Sequence, residues 1–287
     1  MASTQANRGR NPEQPGSKGR AGRNLPAAIG VGVGMGAVLL AALLIEKSVF
    51  AAIVAVAVLV AVRELGTALV GKGVQVPVIP IAVGGVGMVV AAYFGGPRAL
   101  VAALALTCLA TLVWRMAEGA DGFLRDATAG LFTIVYVPFL ASFATLLLAQ
   151  DSGAKRVILF FLLPIANDTG GYATGVFFGN RKLAPKISPG KTWEGLAGSL
   201  VITAAVGAVG ITQLLDGKVW QGVVLGVAAV ASATLGDLIE SVIKRDLGIK
   251  DMGNLLPGHG GIMDRLDSLL ATAPVAWLLI TVFLGGT

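Results

Sequence analysis

Apolar runs of membrane-crossing length recur along the whole of this 287-residue chain. A helix needs roughly 20 apolar residues to cross a hydrocarbon core of about 30 Å. Because 55% of the residues are hydrophobic and only 13% are charged, burial in a water-soluble core does not explain so many runs. We therefore expect an all-α polytopic membrane protein with about nine transmembrane helices. The runs cover residues 26–45, 48–70, 76–95, 98–117, 128–149, 156–178, 195–215, 219–239 and 268–285.

The first 24 residues differ from the rest of the chain in being basic and almost free of apolar side chains. Such a composition is typical of a disordered segment. The apolar run that follows continues to about Ile45, well beyond the short apolar core of a cleaved signal peptide. We expect a disordered basic tail over residues 1–24 and a single transmembrane domain, with its first span retained, over residues 25–287.

The distribution of lysine and arginine predicts how the spans are oriented. With the tail placed in the cytoplasm, the segments on that side hold sixteen of the 22 basic residues and those on the other side hold five. Cytoplasmic segments of membrane proteins are enriched in these residues. We expect a multi-pass protein of the plasma membrane with its N-terminus in the cytoplasm and its C-terminus outside. Small-residue helix faces also make a homodimer an expectation.

Two polar segments, residues 167–194 and 237–267, are expected on the same cytoplasmic face, because the seventh and eighth spans lie between them. They can therefore build one cytoplasmic-facing polar site, mainly from residues 165–195 and 237–267. Half of the sixteen acidic residues of the chain lie in these segments: Asp168, Glu194, Asp237, Glu240, Asp246, Asp251, Asp264 and Asp267.

The spacing of the acidic residues in the second segment predicts a magnesium site. Asp264 and Asp267 stand three apart on the expected first turn of the last span, and Asp237 shares a helix face with Ser241 and Lys244. Mg²⁺ prefers oxygen ligands and commonly takes one or two carboxylates, with substrate phosphates and water completing its shell. We expect Asp264 and Asp267 to hold Mg²⁺, with Asp237 as a third ligand.

A glycine-rich stretch around His259 predicts a phosphate cradle. Gly258, Gly260 and Gly261 allow backbone N–H groups to approach an anion closely, although a flexible loop would have the same composition. His259 is the only histidine and invites a role as general base. A phosphate monoester has a second pKa near roughly 6 and is already ionised at neutral pH, so we favour a positioning role.

The first polar segment combines a carboxylate with a basic loop. Asp168 interrupts an apolar run, and an ionisable residue at membrane depth is a functional candidate; the alternative is a helix break capped by Asp168. Lys186, Ser188 and Lys191 follow in a loop that could hold a triphosphate or a lipid phosphate. Cytoplasmic loops are basic for topological reasons as well.

Taken together, these motifs resemble a known family. The stretch S-V-I-K-R-D-L-G-I-K-D, residues 241–251, followed by L-P-G-H-G-G-I-M-D-R-L-D, residues 256–267, closely resembles the signature of phosphatidate cytidylyltransferases, the CDP-diacylglycerol synthases. Residues 167–172 and 182–195 are similar to a second conserved region of that family. The likeness covers roughly residues 160–270. One departure is Gly190, where a second lysine is expected before Lys191.

The resemblance implies a reaction in which the phosphate of phosphatidic acid attacks the α-phosphorus of CTP and pyrophosphate leaves. It implies dependence on a divalent metal, and CTP and phosphatidic acid as partners rather than a nucleic acid. The three carboxylates leave a second cation between them open. Ser241 would bind the lipid phosphate or a metal-bound water, and the remaining substrate-binding residues would be Lys186, Lys191, Lys244, Arg245, Lys250, Gly260 and Arg265.

Two other readings stay open from the sequence. Another CTP-dependent lipid enzyme, such as a polyprenol kinase or a CDP-archaeol synthase, would also combine a cytoplasmic polar site with a membrane lipid. A transporter would use Asp168 and glycine-broken spans as a site at the membrane midplane. The clustering of acidic residues at one membrane face argues against a transporter.

Overall fold

The computed structural model of the protein describes residues 25–255 and 260–285. The predicted tail over residues 1–24 lies outside them. The described part is almost entirely helical, which confirms the predicted all-α class. Its helices are α1 Leu25–Ile45, α2 Lys47–Val70, α3 Val78–Ala117, α4 Phe123–Ile134, α5 Leu140–Ala149, α6 Gly153–Phe178, α7 Trp193–Leu215, α8 Val219–Leu247 and α9 Met263–Leu284. A π-helical turn, Val135–Phe139, joins α4 to α5, and a two-stranded antiparallel hairpin, β1 Lys182–Ala184 and β2 Ser188–Thr192, precedes α7.

Seven helical segments in the described ranges are long and apolar enough to cross a membrane, with α4 and α5 counted as one segment. One of them, α3, has 40 residues and would be about 60 Å long if straight, twice the hydrocarbon core. Its backbone turns at Gly96, where φ is 68°, a value that glycine adopts readily. A Cβ on Gly84 would overlap the side chain of Thr107, so the two halves pack against each other.

Helix α3 is therefore a hairpin of two spans, as the separate apolar runs 76–95 and 98–117 predict. With α1, which has 21 residues, the described part of the chain contains nine apolar segments of membrane-crossing length. The number agrees with the expected architecture.

Polar contacts sort the loops into two ends of the helix bundle. At one end, Asp126 accepts a hydrogen bond from the backbone N–H of Gln75 at 3.1 Å and pairs with Arg115 at 3.0 Å. At the other end, the Arg156 guanidinium donates to the carbonyl of Gly285 at 3.0 Å. Every second connection between spans therefore lies at the same end of the bundle, as spans that cross in alternate directions require. By this alternation, the polar segments before α7 and before α9 lie at the end that holds Asp126.

The apolar interior consists of two adjoining clusters. One, which includes Val58 and Ile134, lies between α2, α3 and the α4–α5 segment. The second, which includes Phe50, Leu147 and Phe160, lies between α2, α5 and α6. These clusters fix α2 and α5 against α9, because Leu270 and Ala273 of α9 belong to them.

Glycines allow α6, α7 and α8 to approach closely. A Cβ on Gly207 of α7 would overlap the backbone of Gly222 of α8, and a Cβ on Gly198 of α7 would overlap the side chain of Thr174 of α6. Small residues permit such contacts between helices in lipid. The close packing brings the polar residues of α6 and α8 together. The expected homodimer would need other faces and stays a prediction.

Candidate functional site

A polar cleft of about 500 Å³ lies between α6, the β-hairpin, α7 and α8. Asp168, Lys191 and Asp237 line it, and the Lys191 ammonium forms an ion pair with the Asp237 carboxylate. Asp168 is ten residues before the end of α6, which places it about 15 Å from that end. The cleft thus runs from the loop end of the bundle towards the interior of the membrane.

The β-hairpin is fixed to the start of α7, and this positions Lys191. Thr192 caps α7 by accepting a hydrogen bond from the backbone N–H of Gly195 at 3.1 Å, as N-cap residues do. The Glu194 carboxylate accepts from the backbone N–H groups of Asn180 at 3.1 Å and Arg181 at 3.2 Å. Both ends of the hairpin are therefore tied to α7, and Lys191 is directed towards α8.

Asp168 lies within an uninterrupted helix. Because α6 continues from Gly153 to Phe178, the alternative of a helix break capped by Asp168 is wrong. The Asp168 carboxylate accepts a hydrogen bond from the side-chain NH₂ of Asn167 at 3.0 Å, and the backbone carbonyl of Asn167 accepts one from the Ser199 hydroxyl at 2.6 Å. The side-chain oxygen of Asn167 is buried and has no protein partner among the described residues.

Three carboxylates from three helices lie close together, two of them in the lining of the cleft. Asp168 of α6, Asp237 of α8 and Asp267 of α9 lie close enough to repel one another electrostatically, and Arg265 lies close enough to attract two of them, Asp168 and Asp267. The convergence follows from close packing of α8 on α9, since a Cβ on Gly236 would overlap the backbone of Asp267. We refer to Asp168, Asp237 and Asp267 as the carboxylate cluster.

Asp264 belongs to a second, more deeply buried network. Lys244 donates to the carboxylates of Asp264 at 2.9 Å and Glu240 at 2.8 Å. The other oxygen of Asp264 accepts from the backbone N–H groups of Met252 and Gly261, both at 2.9 Å. Both oxygens of Asp264 are thus engaged, and they hold the loop before α9 against α8. One oxygen of Glu240 is buried and has no hydrogen-bond partner within residues 25–255 and 260–285.

Glu64 of α2 fixes the start of α9. Its carboxylate accepts from the backbone N–H groups of Ile262 at 3.2 Å and Met263 at 2.8 Å, which satisfies donors that a helix N-terminus leaves free. A Cβ on Gly253 or Gly261 would overlap the Glu64 side chain. Glu64 therefore orients the first turn of α9, where Asp264 and Asp267 lie, although sequence reasoning did not select it. An acidic residue within an apolar span was the available signal.

Tyr136 is a second residue that the sequence analysis missed. It lies in the π-helical turn, a distortion often found at functional sites, and its hydroxyl is buried without a partner in the described part of the chain. Glu240, Asp267 and Asp237 are all near enough to act on it electrostatically. Tyr136 thus lies where the carboxylate cluster meets the Lys244 network.

The remaining predicted residues lie around this centre. Ser241 is half-buried on α8, and Ser188 is half-buried on β2. Gly260 has a φ of 82°, which favours glycine, and it precedes the turn held by Asp264. His259 and the rest of residues 256–259 lie outside the described ranges. Four of the predicted basic residues are exposed: Lys186, Arg245, Lys250 and Arg265.

The donor set fits a hard cation better than a soft one. No group of three or more histidine, cysteine or acidic residues within the described ranges is close enough to hold a metal by itself. The carboxylate cluster nevertheless offers only oxygen ligands and carries more negative charge than Lys191 and Arg265 neutralise. Mg²⁺ with substrate phosphates and water as further ligands suits such a site. Asn167 lines the same cleft, and Glu240 is near enough to Asp267 to repel it.

A bundle of membrane-spanning helices with carboxylates and Lys191 in a cleft at one end is an arrangement that suits a polytopic membrane enzyme with a phosphate-bearing substrate. The sequence model of the Cytidylyltransferase family matches residues 26–283. The chain therefore belongs to the cytidylyltransferase family.

Individual relatives agree with this assignment. The phosphatidate cytidylyltransferase of Mycobacterium leprae is 43% identical over 281 residues, which cover 91% of this chain and 89% of the relative. That of Mycobacterium bovis is 42% identical over 283 residues, with 94% and 92% covered. A shorter similarity, 42% over 148 residues, relates 48% of the chain to 51% of the phosphatidate cytidylyltransferase of Haemophilus influenzae. The two mycobacterial relatives are similar along nearly their whole length.

Proposed function

We propose that the chain transfers the cytidylyl group of CTP to phosphatidic acid, forming CDP-diacylglycerol and pyrophosphate in phospholipid biosynthesis. The observation that carries this proposal is similarity at 42–43% identity to phosphatidate cytidylyltransferases over about nine tenths of the chain. The cleft adds a physical reason, because carboxylates and Lys191 at one end of the bundle can bind a nucleotide that arrives from water. A lipid acceptor reaches the same cleft from the membrane.

The reaction requires the protein to align the two substrates and to neutralise the charge of their phosphates. An oxygen of the lipid phosphate forms a bond to the α-phosphorus of CTP, the bond from that phosphorus to the bridging oxygen breaks, and pyrophosphate leaves with the electron pair. In-line positioning and electrostatic stabilisation supply most of the catalysis in such transfers. We assign Lys191 and Lys244 to neutralising the phosphates, as the resemblance to the family implies. The lipid phosphate is already ionised near neutral pH, so His259 is assigned to positioning.

Mg²⁺ is proposed at the carboxylate cluster, with Asp237 and Asp267 as ligands and Asp168 beside them. When bound, it would neutralise the negative charge of the phosphates during transfer. Asp264, expected as a ligand from its spacing, already accepts from Lys244 through one oxygen and from two backbone N–H groups through the other. We therefore assign Asp264 to holding Lys244 and the loop before α9. The negative charge of Glu240 and of the carboxylate cluster would also attract a second cation.

The polar end of the bundle is proposed to face the cytoplasm, where CTP is found. Single cysteines at Lys186 and at Asp151, in a background with Cys108→Ser, test this orientation, because both positions are exposed and lie at opposite ends. A membrane-impermeant maleimide added to intact cells is expected to label Asp151→Cys and to spare Lys186→Cys until the cells are opened. Labelling of Lys186→Cys but not of Asp151→Cys in intact cells would contradict the proposed orientation of the site and of both termini.

The choice of acceptor separates this function from the alternatives. Purified protein with CTP and Mg²⁺ is expected to release pyrophosphate when phosphatidic acid is added. It is expected to release none with a polyprenol, and much less with an ether-linked archaeal phosphatidate analogue. A polyprenol kinase would instead release CDP with its lipid alcohol, and a transporter would consume no CTP with any of the three. Pyrophosphate release at the same rate with every lipid, or without added lipid, would refute the proposed function.

A further inference from the structure

An apolar groove of about 630 Å³ lies beside the polar cleft, between α1, α2, α5, α6 and α9. Its walls are aliphatic and aromatic, with Val38 of α1, Ile53 of α2, Phe161 of α6 and Leu269 of α9 among them. Arg265 is the only charged side chain among the described residues that line it. We name this feature the α2–α9 groove. It differs from an ordinary gap between helices because the charged side chain of Arg265 lies at one end.

The α2–α9 groove runs from the polar end of the bundle past the middle of the membrane. Its lining extends from Ile262, just before α9, to Ala273 on α9, and on α2 from Val60 to Phe50, which lies three residues from the far end of that helix. Ten residues of helix correspond to about 15 Å. A lipid acyl chain with its head group at the polar end of the bundle would therefore lie along the groove.

The charged end of the groove adjoins the catalytic cleft. Arg265 lies near enough to Asp168 and Asp267 to attract both electrostatically. Val60 is one helical turn before Glu64, which holds the start of α9. An anionic group at Arg265 would thus lie next to the carboxylate cluster, where the proposed function requires the lipid phosphate.

We infer that the α2–α9 groove binds one acyl chain of phosphatidic acid and that Arg265 contacts the phosphate of the same molecule. This inference rests on the proposed function and adds to it the residues that select the lipid tail. The groove can hold the chain because its lining is apolar, and its single cation can orient the lipid because a phosphate is attracted to that end. Chain length is then sensed at the deep end, near Ile53 and Phe50.

The test narrows the deep end of the groove and compares two lipids. Ile53 is half-buried and lies seven residues, about 10 Å, beyond Val60. Dioleoyl phosphatidate should reach it, whereas dihexanoyl phosphatidate has chains too short to do so. Ile53→Trp is expected to lower kcat/KM for the dioleoyl lipid at least about tenfold and to leave the dihexanoyl lipid within about twofold, on the scale by which apolar pockets discriminate chain size.

Val49→Trp is the matched control, because Val49 is 48% exposed on the same helix and is not part of the groove lining. It should leave the ratio of the two kcat/KM values unchanged. If Ile53→Trp does not fold, Ile53→Phe is expected to shift the ratio in the same direction by a smaller factor. Equal losses for both lipids, or no loss for either, would overturn the inference. Failure of the wild-type protein to convert either lipid would instead refute the proposed function.

Discussion

Replacing Asp267 by asparagine is expected to lower kcat at least about 10²-fold, the scale on which a charge-stabilising group is lost from a transition state. Asparagine has nearly the same size but cannot supply the negative charge that we assign to Mg²⁺. In the absence of metal the replacement removes repulsion between Asp267 and its neighbours Asp168 and Asp237. The melting temperature of the detergent-solubilised, metal-free protein should therefore stay the same or rise.

Asp264→Asn is the matched control, three residues away on the same helix turn. An amide at this position would direct its NH₂ group either at Lys244 or at the two backbone donors that Asp264 now satisfies. Breaking a buried ion pair typically costs about 3–5 kcal/mol. Activity and melting temperature should both fall in this variant. A fully active Asp267→Asn would remove Asp267 from the site, and an unchanged melting temperature for Asp264→Asn would contradict its structural assignment.

Removal of divalent metal is expected to abolish turnover, and added Mg²⁺ is expected to restore it. The converging side chains offer carboxylate oxygens, which favour hard cations. Zinc should not substitute, because it prefers nitrogen and sulfur ligands and the chain has one histidine and one cysteine. The measurement is the initial rate after EDTA treatment, followed by titration with Mg²⁺ and, separately, with Zn²⁺. Full activity in rigorously metal-free buffer would contradict the metal site.

Hydropathy was enough to predict the spans of this protein. Even the two halves of α3 were separated at the correct place, because Gly96 and Pro97 interrupt the apolar run where the helix turns back. A residue's cost of transfer into lipid is a local property of the sequence. The number of crossings and the alternation of loops between the two ends follow from it.

Pairing between distant helices could not be predicted in the same way. Glu64 contacts Met263 at a separation of 199 residues, and hydropathy does not say which helix packs on which. For the same reason the spacing of Asp264 and Asp267 could not show that Asp264 pairs with Lys244, whereas Asp267 lies near Asp168 and Asp237. The metal site itself stays a prediction. The position of Tyr136 near the site could not be predicted either, because it depends on a π-helical turn within an apolar segment.

The most direct test of the proposed reaction follows the phosphorus atoms of CTP. Purified protein is given Mg²⁺, phosphatidic acid and CTP labelled at either the α- or the γ-phosphorus. Transfer of the cytidylyl group predicts that α-label appears in the lipid fraction in a one-to-one ratio with released pyrophosphate, while γ-label stays in the pyrophosphate. Appearance of γ-label in the lipid, or absence of both labels from it, would contradict the assignment of this chain as a cytidylyltransferase acting on phosphatidic acid.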